Sequence, residues 1–370
     1  MLLFTPGPTP VPQNVRNAMS DETMHHRTPE FEAIFEKTRG HLFKLFGTDE
    51  VVMLASSGTG AMEAAVLNLC HKKLLSINSG KFGERFGKIA IACNLENTEI
   101  KNEWDTPASV DAVVDALKAD SSIDAIAIQI SESAGGLRHS VEEIAKAAKE
   151  INPDIMVIAD GITAVGVEKI DVTNIDALIA GSQKALMLPP GLSILGLSNK
   201  AIQKIGQGKG YYLNLASEIK KQRQNTTAYT AATTLIIGLL EVLENIDADG
   251  GADKLYEKTA LRAKALNTAL QAIGLHIYPK RPAPSMTTID DVDAGAIRKM
   301  LKDDFGVNVA GGQDHLKGRI FRINQMGFIS DYEMAWVANA VELCLAKLNR
   351  RAYDGTANRV FNEITFGMGS

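Results

Sequence analysis

The sequence predicts an α/β protein: a large domain with a mainly parallel sheet sandwiched by helices, followed by a smaller α+β C-terminal domain. Three observations carry this. Short apolar runs recur along most of the chain. Helical patterns separate several of them, and several end in glycine or polar residues. The texture then changes past a turn-rich break at Asp247–Gly251. Alternation of this kind predicts parallel strands covered by helices. A chain of 370 residues also exceeds one typical domain. We therefore expect an arm over 1–13, a large domain over 14–248 and a small domain over 249–370.

The elements follow in order. Four prolines in the first twelve residues (Pro6, Pro8, Pro10, Pro12) predict an extended arm, not a helix. Asn14–Met19 reads as helical. Phe31–Phe46 has helical apolar spacing at Phe31, Ile34, Phe35, Leu42 and Leu45. Val51–Ala55 is a strand-like run that ends in Ser56-Ser57-Gly58-Thr59-Gly60, and helical Ala61–Leu69 follows. Further strand-like runs are Leu74–Asn78, Ala125–Ile130, Ile155–Ala159, Ala177–Ala180 and Ser193–Leu197. Val110–Lys118 and Val141–Glu150 are helical between them. Past the break come a long helix (Lys254–Ile273), strand-like His276–Tyr278 and Met286–Ile289, and a helix at Ala294–Phe305. Strand-like Arg319–Asn324 and a helix at Tyr332–Leu348 complete the small domain.

Composition narrows the function classes. Hydrophobic residues make up 45% and charged residues 22%, ordinary for a globular protein. A net charge of −5 argues against nucleic acid as the main partner. No run of 18 apolar residues is present, so no membrane span is expected. The N-terminal stretch lacks a basic start and does not read as a signal peptide. The three cysteines (Cys70, Cys93, Cys344) are widely spaced and form no metal or disulfide pattern. A cytoplasmic location and no metal are the expectations.

Five segments could carry chemistry. In Gly181-Ser182-Gln183-Lys184, an apolar strand delivers a lysine into a turn of small residues. Burial there lowers an amine's pKa and frees it for Schiff-base chemistry, although a solvated surface lysine fits the same pattern. Asp160 ends an apolar strand 24 residues earlier. It suits a protonated pyridine nitrogen, or simply a turn cap. Ser57-Gly58-Thr59 at a helix start suits a phosphate, or plain capping. Phe82, within Gly80–Arg85, could stack on a flat ring or pack in the core. Arg322 alternates with apolar residues on a strand, where a substrate carboxylate or a structural ion pair would satisfy it. Their order along the chain is a complete set of parts for amino-acid chemistry on pyridoxal 5′-phosphate (PLP).

The chain resembles the class V aminotransferases, in the alanine–glyoxylate and serine–pyruvate aminotransferase group, of PLP-dependent transferase fold type I. The matching segments are the Thr5–Pro10 stretch, His26–Phe31, Ser56–Ala65, Gly80–Arg85, Glu132-Ser133, Ala159-Asp160, Gly181–Leu186 with Pro189–Gly191, Thr227–Thr230 and Arg319–Arg322. The resemblance implies that Lys184 carries the cofactor and moves the substrate's α-proton, while Asp160 pairs with the ring nitrogen. It implies that Phe82 stacks on the ring, that Ser57, Gly58, Thr59 and Gln183 surround the phosphate or nearby ring atoms, and that Ser133 lies by the ring hydroxyl. It further implies a homodimer whose Thr227 and Thr230 reach the phosphate of the other subunit, and an Arg322 that holds the substrate α-carboxylate. The sequence departs from the family where Thr227-Ala-Tyr-Thr230-Ala231 replaces the frequent Thr-Pro-x-Thr-Pro, and where Glu132–Gly136 lacks the usual Ser-Thr-Gly ending.

The expected activity is transfer of an amino group from a small L-amino acid, such as serine or alanine, to glyoxylate, pyruvate or 2-oxoglutarate. An acidic substrate (phosphoserine or aspartate) is the main alternative. It is suggested by His26-Arg27, which resembles a pair that phosphoserine aminotransferases place near the substrate's anionic side chain. A polar helix cap accounts for the same two residues. A cysteine desulfurase usually has histidine before the lysine, where this chain has Gln183. A non-catalytic subunit associated with soluble hydrogenase is a third reading, against which Lys184, Asp160 and Arg322 speak.

Overall fold

The computed structural model describes residues 1–367. Its centre is a seven-stranded sheet in the order Glu50–Leu54, Ser193–Leu197, Ala177–Gly181, Met156–Asp160, Ile123–Gln129, Lys73–Asn78, Glu96–Lys101. Neighbouring strands run parallel except Ser193–Leu197, which is antiparallel to both partners. Strands buried on both faces read as continuous apolar runs. Successive residues serve opposite cores: Val51 and Met53 join one, Val52 and Leu54 the other. Helices Pro29–Phe46, Val141–Ile151 and Thr233–Ala248 cover the first face, and Gly58–Leu69 and Lys81–Ala92 the second.

A second sheet, of five strands, gathers Leu2–Phe4, Val307–Gly311, Ile320–Asn324, Met286–Asp290 and His276–Ile277. Helices Gly251–Ala272, Ala294–Asp303, Asp331–Lys347 and Thr356–Phe366 pack on it around a separate core. Helix Thr233–Ala248 stops just before Gly250, whose φ of 104° lies in the left-handed region, and the next helix starts one residue on. No described helix is long and apolar enough to cross a membrane.

Two findings near the N-terminus go beyond the sequence reading. The proline-rich arm begins with a strand: Leu2–Phe4 pairs in parallel with Val307–Val309. From Pro6 to Thr9 it then runs against the turn that follows strand Ala177–Gly181. In addition, His26-Arg27 is not the helix cap. Thr28 caps helix Pro29–Phe46, its side chain accepting from the Phe31 N–H at 3.4 Å.

Candidate active site

The carboxyl ends of the parallel strands share one edge, where ligands bind in open α/β sheets. Strand Ala177–Gly181 ends in a tight turn that carries Lys184. Ser182 holds the turn, donating its hydroxyl to Pro189 O at 2.7 Å and accepting the Leu192 N–H at 3.2 Å. The Lys184 amine donates to the Pro6 carbonyl, and Thr9 Oγ1 donates to Lys184 O at 2.7 Å. Burial pushes the amine down to about 8; Arg322 acts in the same direction and Asp160 against it. An amine in that range is partly neutral at physiological pH and therefore nucleophilic.

Asp160 ends the neighbouring strand and accepts the Ile162 N–H at 2.9 Å. Burial raises its carboxyl to about 6, against the pull of Arg85 and Lys184. Ser57 and Gly58 open helix Gly58–Leu69, and the Ser57 side chain makes no capping bond. Gly58 permits a close approach, because a Cβ there would collide with Ile162 Cδ1. Thr59 Oγ1 accepts from Arg85 Nη1 at 2.8 Å, and the Arg85 guanidinium lies 4.8 Å from the centre of the Phe82 ring.

Eight of the sequence-predicted residues line one cleft: Ser57, Gly58, Thr59, Phe82, Ser133, Asp160, Gln183 and Lys184. Gln183 contributes a buried amide oxygen with no hydrogen-bond partner among the described residues. Arg322 adjoins the cleft from the second sheet. It donates to the carbonyl of Ser133, and through Nε and Nη2 to Gly311 O at 3.1 and 2.6 Å. Burial lowers its guanidinium to about 10.

The other four lie elsewhere in the chain. Thr227 and Thr230 border a separate small pocket with Tyr212 and Tyr229. The His26 ring packs beside His25 at 4.8 Å with its Nε2 buried and unpartnered among the described residues, and Arg27 is exposed. Among the described residues no cysteine lines the cleft, and burial pushes the Cys70 and Cys344 thiols up to about 12. Among the described residues no cluster of His, Cys, Asp or Glu could hold a metal ion.

Sequence reasoning misses three contributors. Arg85 and Glu132 lie inside the family-like segments with no role of their own, and the arm residues Pro6, Gly7 and Thr9 read only as extended backbone. For the arm, a glycine is the signal that could find it. Gly7 has φ 96°, and a Cβ there would lie 2.6 Å from Lys184 Nζ. Gly7→Ala is therefore expected to displace the lysine, the flexible partner, and to slow amino transfer more than it lowers stability. The positive φ itself costs about 1–3 kcal/mol. Parallel melting and activity assays test this; unchanged turnover would show that the arm does not bear on the lysine.

The pattern of the family described as "Aminotransferase class-V" matches residues 1–329 of the chain. The chain is a class-V aminotransferase. It is 50% identical over 369 residues to an uncharacterized aminotransferase of Helicobacter pylori, covering 100% of both chains. It is also 29% identical over 368 residues to the serine–glyoxylate aminotransferase of Methylorubrum extorquens, covering 93% of this chain and 90% of that one. Among solved structures, the aspartate aminotransferase of subgroup IV from Thermus thermophilus is similar over 98% of this chain and 100% of that one, with a TM-score of 0.85 and 31% identity. The aminotransferase thus has the fold type I architecture expected from its sequence. Its family and structural relatives imply PLP as cofactor.

Proposed function

We propose that the aminotransferase holds PLP on Lys184 and moves an amino group from a small L-amino acid, of the serine or alanine kind, to a 2-oxo acid such as glyoxylate, pyruvate or 2-oxoglutarate. The observation that carries this reading is one cleft that contains the Lys184 amine, the Asp160 carboxyl, the Phe82 ring and the Ser57–Thr59 helix start. The cleft suits the cofactor. Gln183 has a buried oxygen with no partner among the described residues, and the bare Gly58 backbone stands at a helix N-terminus, where phosphate is favoured. When bound, the cofactor supplies a protonated ring that takes up the electron pair released at the substrate's Cα.

The chain's own residues do the rest. Asp160 holds the proton on the ring nitrogen. Phe82 covers one face of the ring. Arg322 binds the substrate carboxylate, for which three of its five N–H donors are at present on carbonyls of Ser133 and Gly311. Lys184, once its amine is free, would be the base that takes the proton from the substrate's Cα and the acid that returns it. Ser133 serves the ring hydroxyl.

The dimer belongs to the same proposal. Thr227 and Thr230 lie outside their own chain's cleft, beside an aromatic cluster of Tyr211, Tyr212 and Tyr229 that leaves Tyr211 83% exposed. A second subunit would cover these rings and receive the two threonines at its phosphate. The three cysteines are all free, which suits a reducing cytoplasm.

An acidic donor is the second reading. It is favoured by the similarity to an aspartate aminotransferase and by the exposed Arg27, which a partner's cleft could use. A donor–acceptor screen decides between them. The cofactor's absorbance is followed with serine, alanine, aspartate and phosphoserine, then with each 2-oxo acid. Serine or alanine as best donor supports the first reading, and an acidic donor the second. No conversion with any donor would defeat both.

A further inference from the structure

Glu132 is a fully buried carboxylate whose hydrogen bonds, among the described residues, all come from backbone. Its Oε2 accepts the N–H groups of Phe82 at 3.1 Å and Gly83 at 2.8 Å, and its Oε1 accepts the Ala134 N–H at 2.9 Å. Phe82 and Gly83 are the second and third residues of helix Lys81–Ala92, whose first N–H groups have no partner within the helix. The preceding residue, Gly80, has no side chain to cap them. A carboxylate from about fifty residues away does so instead, at the positive end of the helix dipole.

The surroundings are shaped for it. A Cβ on Gly80 would collide with Glu132 Cδ, so only glycine leaves room for the carboxyl. A Cβ on Gly83 would lie 2.6 Å from Ile77 O, so its absence lets the helix rest directly on strand Lys73–Asn78. Between these two glycines stands Phe82, whose ring lines the cleft. A serine or aspartate at position 80 would cap the helix at far lower cost than a carboxylate buried without a bonded cation. Capping alone therefore does not explain Glu132. What it adds is a link between two walls of the cleft: the helix that carries Phe82 and the turn that carries Ser133.

We propose that Glu132 is a positioning residue that fixes the first turn of the Phe82 helix and so sets how closely the Phe82 ring meets the cofactor ring. This rests on the reading of the cleft as a PLP site. Burial also raises the Glu132 carboxyl to about 7, with the three N–H groups opposing and Asp160 adding to the shift.

The test is a double-mutant cycle on PLP affinity. Apoproteins of the unaltered chain, Glu132→Gln, Phe82→Leu and the double variant are titrated with PLP, and the bound cofactor is followed by its circular dichroism. Glutamine keeps the size but offers an NH2 where one of the two oxygens must accept. Glu132→Gln is expected to weaken PLP about tenfold, the loss of one charge-assisted hydrogen bond, and Phe82→Leu about tenfold, the loss of ring stacking. The double variant is expected to be no weaker than either, because coupled residues are not additive. Native PLP affinity in Glu132→Gln, or losses that multiply to about a hundredfold in the double variant, would overturn the proposal. If Glu132→Gln does not fold, Gly80→Ala, which crowds the carboxyl, takes its place in the same cycle, and the same outcomes support or overturn the proposal. Failure of the unaltered apoprotein to bind PLP would instead defeat the cofactor reading itself.

Discussion

Lys184→Ala is expected to abolish amino transfer, with a loss of at least about ten-thousandfold in kcat, the upper range for a positioned acid–base group, because the same amine is also proposed to anchor the cofactor. The cofactor-loaded variant should fail to convert amino acid to 2-oxo acid under conditions in which the unaltered protein turns over. Turnover at the native rate would remove the central claim. A pH experiment follows from the same residue. Only the neutral amine attacks a carbonyl, and burial brings the Lys184 amine down to about 8. The rate of PLP attachment to apoprotein should therefore rise with pH and level off above about 8, well below the ordinary lysine value of about 10.4. A rise that continues to pH 10 would mean an amine that is not desolvated.

Asp160→Asn carries the second large effect. An amide is isosteric but cannot neutralise a protonated ring nitrogen. Removing one member of a buried charge pair costs about 3–5 kcal/mol, which corresponds to about 10²- to 5 × 10³-fold in rate. Burial raises the free Asp160 carboxyl to about 6. The pairing would be present above that value and lost as pH falls through it, so bound cofactor should hold its ring proton across the neutral range. We expect kcat to fall by the stated factor while the apoprotein's melting temperature holds or rises, since the substitution removes a desolvated charge. Equal rates in the unaltered protein and Asp160→Asn would place the ring nitrogen elsewhere.

Much of this is legible in the chain, and the reasons are physical. The central strands are apolar on both faces, so Ala125–Ile130 and Ser193–Leu197 read as runs and fall within two residues of the observed strands. The edge strand Glu96–Lys101 gives no such signal, because its exposed side is polar and the pattern Glu-Asn-Thr-Glu-Ile-Lys forms no run. Helix Lys81–Ala92 is masked by Gly83 and Gly87, poor helix formers that are there for close packing. Strand Val307–Gly311 and helix Thr356–Phe366 likewise escape the sequence reading. In the site, eight residues converge because the segments that bear them meet at one sheet edge, at strand ends and helix starts. The contribution of Glu132 is not readable, because its partners at Phe82 and Gly83 are backbone N–H groups some fifty residues away, which leave no trace in side-chain pattern. Nor can a single chain's sequence show what Thr227 and Thr230 face.

The docking of Leu2–Phe4 against Val307–Val309 has a consequence for biosynthesis. The segment is translated about 300 residues before its strand partner, a delay of about 15–60 s at about 5–20 residues per second. Throughout that interval the central sheet can form, but the arm that bears the carbonyl receiving the Lys184 amine lacks the strand that anchors its start. Completion of the cleft thus belongs to the last stage of synthesis, and a nascent chain released early would carry the lysine beside an arm not yet anchored at Leu2–Phe4.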